Sequence, residues 1–264
     1  MTVATERRGA YRDGNSTADR ALIILQMFSE QQDRVSAIYI AEHLGVSRST
    51  AYRYAQSLVR SEFLVEESGT GFRLGPKVME LARVARRSYG LSDMAIPIMR
   101  QLAAKHKETV LLTRRVGTGI LCLEREEWPG QYVRLSYERG TRLSLNAGAS
   151  ALVLLAWLPE DYVREILSGV ELYAYTENTL TKPDRILERL AQIRVDGYCI
   201  AYGEVDPDVL GIAAPVFDNQ GDVSAALSLV TLRTRLTPEA IKTTTRSLVT
   251  SAADLTAQIH NYSE

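Results

Sequence analysis

Apolar residues recur along this chain in two rhythms, helical at first and then increasingly strand-like. A run from Ala21 through Leu22, Ile23, Ile24 and Leu25 to Phe28 predicts a helix that Asp19 could cap. Ile38, Ala41 and Leu44 are spaced three and three, so a short helix is predicted over 37–44. Gly45-Val46-Ser47 breaks it, because Gly45 permits the left-handed backbone of a tight turn and Ser47 can cap a second helix. That second helix should run from about Arg48 to Arg60. Phe63-Leu64-Val65 and Phe72-Arg73-Leu74 flank a polar, glycine-containing stretch and read as a small hairpin. After Gly75-Pro76, a helix with Val78, Leu81, Ala82 and Ala85 on one side and Arg83, Arg86 and Arg87 largely on the other leads to Gly90. Residues 1–17 hold three arginines and no apolar periodicity, and are expected to be a disordered arm.

Beyond Gly90 the texture changes. Residues 94–104 read as a helix, and 109–116 and 120–126 as strands around the Gly117-Thr118-Gly119 turn. Residues 131–136 read as another strand, and 149–158, 160–167 and 183–195 as helices. Strands are predicted over 198–202, 209–217 and 223–232, the last two joined by Asp218-Asn219-Gln220-Gly221. A closing helix follows Thr237-Pro238, with proline at a first helical position. Helices flanking a largely antiparallel sheet make the fold class α+β. The expected organisation is an arm (1–17), a winged helix-turn-helix domain (18–75), a linker helix (76–90) and a second domain (91–264).

Composition narrows the classes without choosing among them. With 264 residues, 45% hydrophobic and 24% charged, the chain is neither low-complexity nor disordered. Its longest apolar runs fall far short of the roughly 20 residues of a membrane span. Residues 1–15 lack the hydrophobic region of a signal peptide, so a cytoplasmic protein with no membrane partner is expected. Cys122 and Cys199 cannot build a disulfide framework or a four-ligand metal site, and are expected to be buried thiols. No cofactor or metal is expected. A net charge of −1 argues against nucleic acid as a partner, yet residues 1–90 carry 13 Lys and Arg against 10 Asp and Glu, and the remainder 18 against 22. The halves differ in sign.

The most specific signal lies over 38–58. Two helices joined by a three-residue glycine turn have the geometry of a helix-turn-helix. Ala51, Ala55 and Leu58 recur at i, i+4 and i+7 and should face inward, leaving Arg48, Ser49, Tyr52, Arg53 and Gln56 mostly on the opposite side. Arginine can take both acceptors of guanine, glutamine can pair with adenine, and hydroxyls can donate to phosphate. Ser47, Ser49 and Thr50 open the helix where free N–H groups can meet a phosphate, and Arg20 and Arg73 are candidate phosphate contacts. A solvated face of a structural bundle has similar residues, but it does not need the glycine turn, the capping serine and the hairpin together.

A second signal is the passage from 144 to 150 into the apolar helix beginning near Ala151. Asn146, Ala147, Gly148, Ala149 and Ser150 are small residues that leave N–H groups open at a helix N-terminus, where a carboxylate could be held by Ala149 and Ser150. Leu135, Leu143 and Val209 would form apolar walls.

Taken together, these residues resemble a known family. Ala18-Asp19-Arg20-Ala21-Leu22, Ile40-Ala41-Glu42-His43-Leu44-Gly45-Val46-Ser47-Arg48-Ser49-Thr50-Ala51-Tyr52-Arg53 and Phe72-Arg73-Leu74-Gly75 are similar to the IclR family of bacterial transcriptional regulators. So are Leu145-Asn146-Ala147-Gly148-Ala149-Ser150-Ala151, Gly197-Tyr198 and Gly211-Ile212-Ala213-Ala214-Pro215-Val216-Phe217-Asp218. The resemblance covers about residues 18–255. It implies a winged helix-turn-helix on double-stranded, palindromic operator DNA, a C-terminal domain binding a small organic acid, and a homodimer or homotetramer. It also implies that Gly211 and Ser228 belong to the acid pocket. Asn146, Ala201 and Gly211 depart from the family's usual histidine, aspartate or serine, and cysteine or small polar residue at these places. Less polar lining and a small Gly211 point to a bulkier acid, an aromatic carboxylate such as a hydroxybenzoate, with Tyr132 as a stacking or phenol contact.

Enzyme motifs are missing from the sequence. It has no Gly-x-Ser-x-Gly elbow, no phosphate-binding glycine loop followed by Lys-Ser/Thr and no HExxH. Its histidines, His43, His106 and His260, lie far apart in the chain. Two alternatives stay open at this level: a DNA-binding module joined to a ligand-free oligomerisation or interaction domain, and an enzyme acting on a small acid.

Overall fold

The computed structural model describes residues 17–29, 32–67, 71–88, 90–129 and 137–262; the expected arm over 1–16 and the expected strand over 131–136 lie outside them. The chain divides into two compact units between Ser88 and Tyr89.

The first unit runs α1 (Thr17–Gln26), β1 (Arg34–Val35), α2 (Ala37–Leu44), α3 (Arg48–Arg60), β2 (Leu64–Glu67), β3 (Gly71–Leu74) and α4 (Pro76–Ser88). Helix α1 starts before Asp19, which lies in the first turn and favours the positive end of the helix instead of capping it. The helix ends at Gln26, short of Phe28. Gly45 closes α2 in the left-handed region, at φ 62° and ψ 37°, and Ser36 and Ser47 cap α2 and α3. Strands β1, β3 and β2 form a three-stranded antiparallel sheet, one strand more than the hairpin expected from sequence. Ile24, Val35, Ile40, Ala51, Ala55, Leu64 and Phe72 form the buried core on which α1, α2, α3 and the wing converge.

The second unit runs α5 (Leu91–His106), β4 (Thr109–Val116), β5 (Gly119–Glu126), β6 (Arg142–Leu143), α6 (Ala149–Ala156), α7 (Glu160–Ser168), α8 (Pro183–Asp196), β7 (Cys199–Tyr202), β8 (Val209–Phe217), β9 (Val223–Leu232) and α9 (Pro238–Tyr262). Its six strands pair antiparallel in the order β6-β5-β4-β9-β8-β7. Alternate residues of a strand face opposite sides, and here both sides are buried. Ile212, Ala214, Val216, Leu227 and Leu229 pack with α5 and α9, through residues such as Met99, Leu248 and Leu255. Ala213, Ala226, Cys199 and Ala201 face α6, α7 and α8, through Leu152, Ile166 and Leu190. The strand residues on this second side are small, so α6 lies close over them. Both cysteines are buried and free, and burial pushes each thiol up to about 12.

The turn between β7 and β8 depends on one glycine. Gly203 has φ +63°, and a Cβ there would lie 2.7 Å from the carbonyl oxygen of Pro207. Gly203→Ala should lower the unfolding free energy by about 1–3 kcal/mol, read as an earlier denaturation midpoint for the second unit.

Candidate nucleic-acid interface and ligand pocket

Helix α3 carries the candidate interface. The Ser47 hydroxyl accepts the Thr50 N–H at 3.2 Å and also meets the hydroxyls of Ser49 and Thr50 at 3.0 and 2.9 Å. This cluster fixes the start of the helix at its exposed end. Ala51, Tyr54, Ala55 and Leu58 are buried, while Arg48, Ser49, Tyr52 and Arg53 are exposed and Gln56 is half-buried. The outward set expected from helical periodicity thus shares one side of α3.

These polar residues are not equally available. The Tyr52 hydroxyl donates to Glu66 of the wing at 3.0 Å, and the Gln56 Nε2 donates to the same carboxylate at 2.5 Å. The Glu66 hydrogen bond is the main cause raising the Tyr52 phenol above its ordinary value. Arg73 donates to Glu67 at 2.7 Å, and Arg34 lies 3.3 Å from the same residue. Arg20 donates to the Tyr54 hydroxyl at 2.7 Å with its guanidinium 5.7 Å from the ring centre, tying α1 to α3. Arg48 and Arg53 differ: among the described residues, neither guanidinium has a side-chain partner. Among the described residues these two exposed cations on α3 are therefore uncommitted.

The candidate pocket lies in the second unit, where the N-terminus of α6 meets the small-residue side of the sheet. Leu111, Ser228 and Ala213 lie across one row of the β4-β9-β8 ladder, and Val230, Gly211 and Ala201 across the next row of β9-β8-β7. A Cβ on Gly211 would be 3.6 Å from the Ala149 Cβ, so the floor is low where the helix begins. A cavity of about 40 Å³ remains, lined among the described residues by Leu143, Ala147, Gly148, Ala149, Ser150, Val209, Gly211 and Ser228, together with Leu111, Tyr137, Ala151, Ala201, Glu204, Val205 and Val230. The Ser150 hydroxyl donates to that of buried Ser228 at 2.9 Å, joining helix to floor.

Eight of the residues expected from sequence thus line one cavity. Asn146 does not line it. Its side chain is fully buried, donates to the carbonyls of Tyr173 and Leu180 at 3.0 and 2.8 Å, and receives the Ser144 hydroxyl at 2.5 Å. It holds the loop instead of facing a ligand. Tyr132 and Leu135 lie outside the described residues. Leu111 and Val230 were missed, although period-two alternation within their strands would have pointed to them.

Glu204 had no signal in the sequence. It reaches across from the β7–β8 turn and accepts the Gly148 N–H at 2.9 Å, so one donor at the start of α6 already holds a carboxylate of this chain. Thr179 and Thr176 donate to the backbone carbonyls of Glu204 and Gly203, both at 2.5 Å, and fasten that turn to the loop before α8. Burial raises the Glu204 carboxyl above its ordinary value, with the Gly148 hydrogen bond and Arg189 opposing. Its native form therefore holds a proton more tightly than the unfolded chain does. Stability should fall as pH rises from the ordinary glutamate value through the raised one. Glu204→Gln should flatten this part of the profile, checked by melting temperatures from acidic to neutral pH.

Comparison with known proteins agrees with both halves of this arrangement. Residues 17–68 match the IclR helix-turn-helix domain, and residues 85–257 match the family description "Bacterial transcriptional regulator IclR C-terminal". The chain is 31% identical to the HTH-type transcriptional regulator KdgR of Escherichia coli (strain K12), over 95% of each chain. It is 30% identical to XynR of the same strain, over 83% of this chain and 87% of that one. A crystal structure of an IclR homolog complexed with 4-hydroxybenzoate, from Microbacterium hydrocarbonoxydans, superposes with a TM-score of 0.82 at 26% identity, covering 93% of this chain and 100% of that one. The IclR regulator from Alicyclobacillus acidocaldarius gives 0.81 at 26% identity, covering 92% and 98%. These relatives are regulators and not enzymes, and by profile, relatives and fold the chain belongs to the IclR family of bacterial transcriptional regulators.

Proposed function

We propose that this regulator reads operator DNA with α3 and the wing, and that a small organic acid seated at the start of α6 controls that reading. The observation that carries the proposal is the cavity at the α6 N-terminus, where the backbone N–H groups of Ala149 and Ser150, beside the Gly148 N–H held by Glu204, and the Ser150–Ser228 pair meet walls formed by Leu111, Leu143, Val205, Val209 and Val230. Such a site suits a carboxylate attached to an apolar body. An aromatic carboxylate such as a hydroxybenzoate is the preferred class. The 4-hydroxybenzoate bound by the Microbacterium homolog supports that choice.

Differential affinity gives the proposal a mechanism. The acid shifts the population between two states of the regulator, by as much as its affinities for them differ. In a homodimer or homotetramer the two states would place paired recognition helices in or out of register with the operator half-sites.

Calorimetry of the full chain with benzoates, phenylacetates and keto acids tests the ligand class. Saturable binding of a benzoate is expected, and no heat from any acid would leave the second unit without this role. Ser150→Pro removes one donor N–H and the hydroxyl bonded to Ser228, at a helical position that tolerates proline, and should weaken binding about tenfold or more in a protein that still folds. Arg53→Ala should lose specific operator binding, by about 1–3 kcal/mol at fixed salt, with acid binding retained. Unchanged operator affinity would remove Arg53 from the reading face.

A further inference from the structure

The cavity assigned to a carboxylate already holds one. Glu204 lines it beside Gly148, Ala149 and Ser150, and its Oε2 accepts the Gly148 N–H at 2.9 Å. An acid seated on the N–H groups of Ala149 and Ser150 is therefore a second carboxyl group at one helix start. The Ser150 hydroxyl gives it no proton, because it donates to Ser228. Arg189 of α8 is the cation acting on Glu204 among the described residues, and that guanidinium also donates to the Ile200 carbonyl at 2.6 Å. Cys199 of β7 and Tyr137 at the cavity wall also face Glu204, both held protonated by burial, and Asp206 and Tyr175 face Tyr137 in turn. One guanidinium and the partial charge of a helix start can offset one carboxylate. They do not offset two, because carboxylates sharing a site cannot both stay ionised.

We propose that Glu204 is a ligand-contacting residue, which makes the pocket take its acid together with one proton. The inference deepens the acid-binding reading of this cavity and rests on it. The proton comes from solvent and lies between the two carboxyl groups. Glu204 donates it to an oxygen of the bound acid, while its other oxygen keeps the Gly148 N–H. The complex then carries one negative charge in the pocket in place of two. Burial raises the Glu204 carboxyl above its ordinary value, so the free protein is already biased toward the protonated form. Linkage gives the sign of the pH dependence. Above that raised value the complex holds one proton more than the free protein and acid together, so affinity falls as pH rises, by up to about tenfold per pH unit. Below it Glu204 is protonated with or without the acid, and the slope vanishes. This holds whichever carboxyl group keeps the proton, because the pair titrates as a unit.

Calorimetry of the full chain with benzoate, in HEPES and in Tris at one mildly alkaline pH, reads proton uptake from the difference in binding heat. The wild type should take up close to one proton per benzoate bound. Glu204→Gln keeps an oxygen for the Gly148 N–H and cannot ionise. It should bind benzoate with no proton uptake, with an affinity that does not change with pH, and about tenfold or more tighter than the wild type at that pH. If Glu204→Gln does not fold, Glu204→Ala supplies the same reading. Benzoate binding to the wild type without proton uptake would overturn the proposal. Uptake that persists in the folded Glu204→Gln or Glu204→Ala variant would do the same. Absence of benzoate binding in the wild type and the variants at every pH would instead overturn the acid-binding reading, and the proposal with it.

Discussion

The second unit depends on how closely a helix can approach a sheet that is buried on both faces. Strands β8 and β9 have almost no solvated side, so their residues must suit one helical layer or the other. On the α5–α9 side Ile212, Leu227 and Leu229 fill the gap with branched side chains. On the α6 side Gly211, Ala213 and Ala226 leave the sheet nearly bare, and α6 comes down until Ala149 almost touches Gly211. The cavity lies where this approach is incomplete, beside the larger Leu111 and Val230. Backbone donors at the helix start and a largely apolar floor thus meet because of side-chain volume, and a larger residue at Gly211 would separate them.

In the first unit the governing feature is how cations and acceptors are divided. Glu66 and Glu67 on one strand take up Tyr52, Gln56, Arg34 and Arg73, and Tyr54 takes Arg20. These links are exposed or half-exposed and contribute little stability individually. They do decide which groups remain open. Counting basic residues on a helix face overestimates what a partner can engage, because a guanidinium already facing a carboxylate must exchange one contact for another.

Much of this was legible in the sequence, and the exceptions share a cause. Helices α2 and α3 could be read because Ile38, Ala41 and Leu44, then Ala51, Ala55 and Leu58, repeat with helical spacing on either side of the turn from Gly45 to Ser47. Strands β8 and β9 could be read because long β-rich runs flank a polar turn. Strands β1 and β6 have two residues each, too few to show a period. Asn146 stood among small pocket-like residues, yet its partners, Tyr173 and Leu180, come from a loop that only the fold brings near. Glu66 and Glu204 are ordinary acidic residues in the sequence; their roles come from partners 10 to 14 and 56 residues away. Periodicity reports which face of an element is apolar and is silent about which polar groups meet across elements.

The two thiols give the second unit a built-in reporter. Only a thiolate attacks an alkylating reagent, and Cys122 and Cys199 are both held protonated and out of solvent. They belong to different clusters: Cys122 lies with Leu111, Tyr137 and Val230 beside the cavity, and Cys199 lies within the core under α6 and α8. Alkylation therefore proceeds only as fast as each region opens. The ratio of the two rates distinguishes local loosening at the cavity from opening of the whole layer, with no cysteine introduced into the protein.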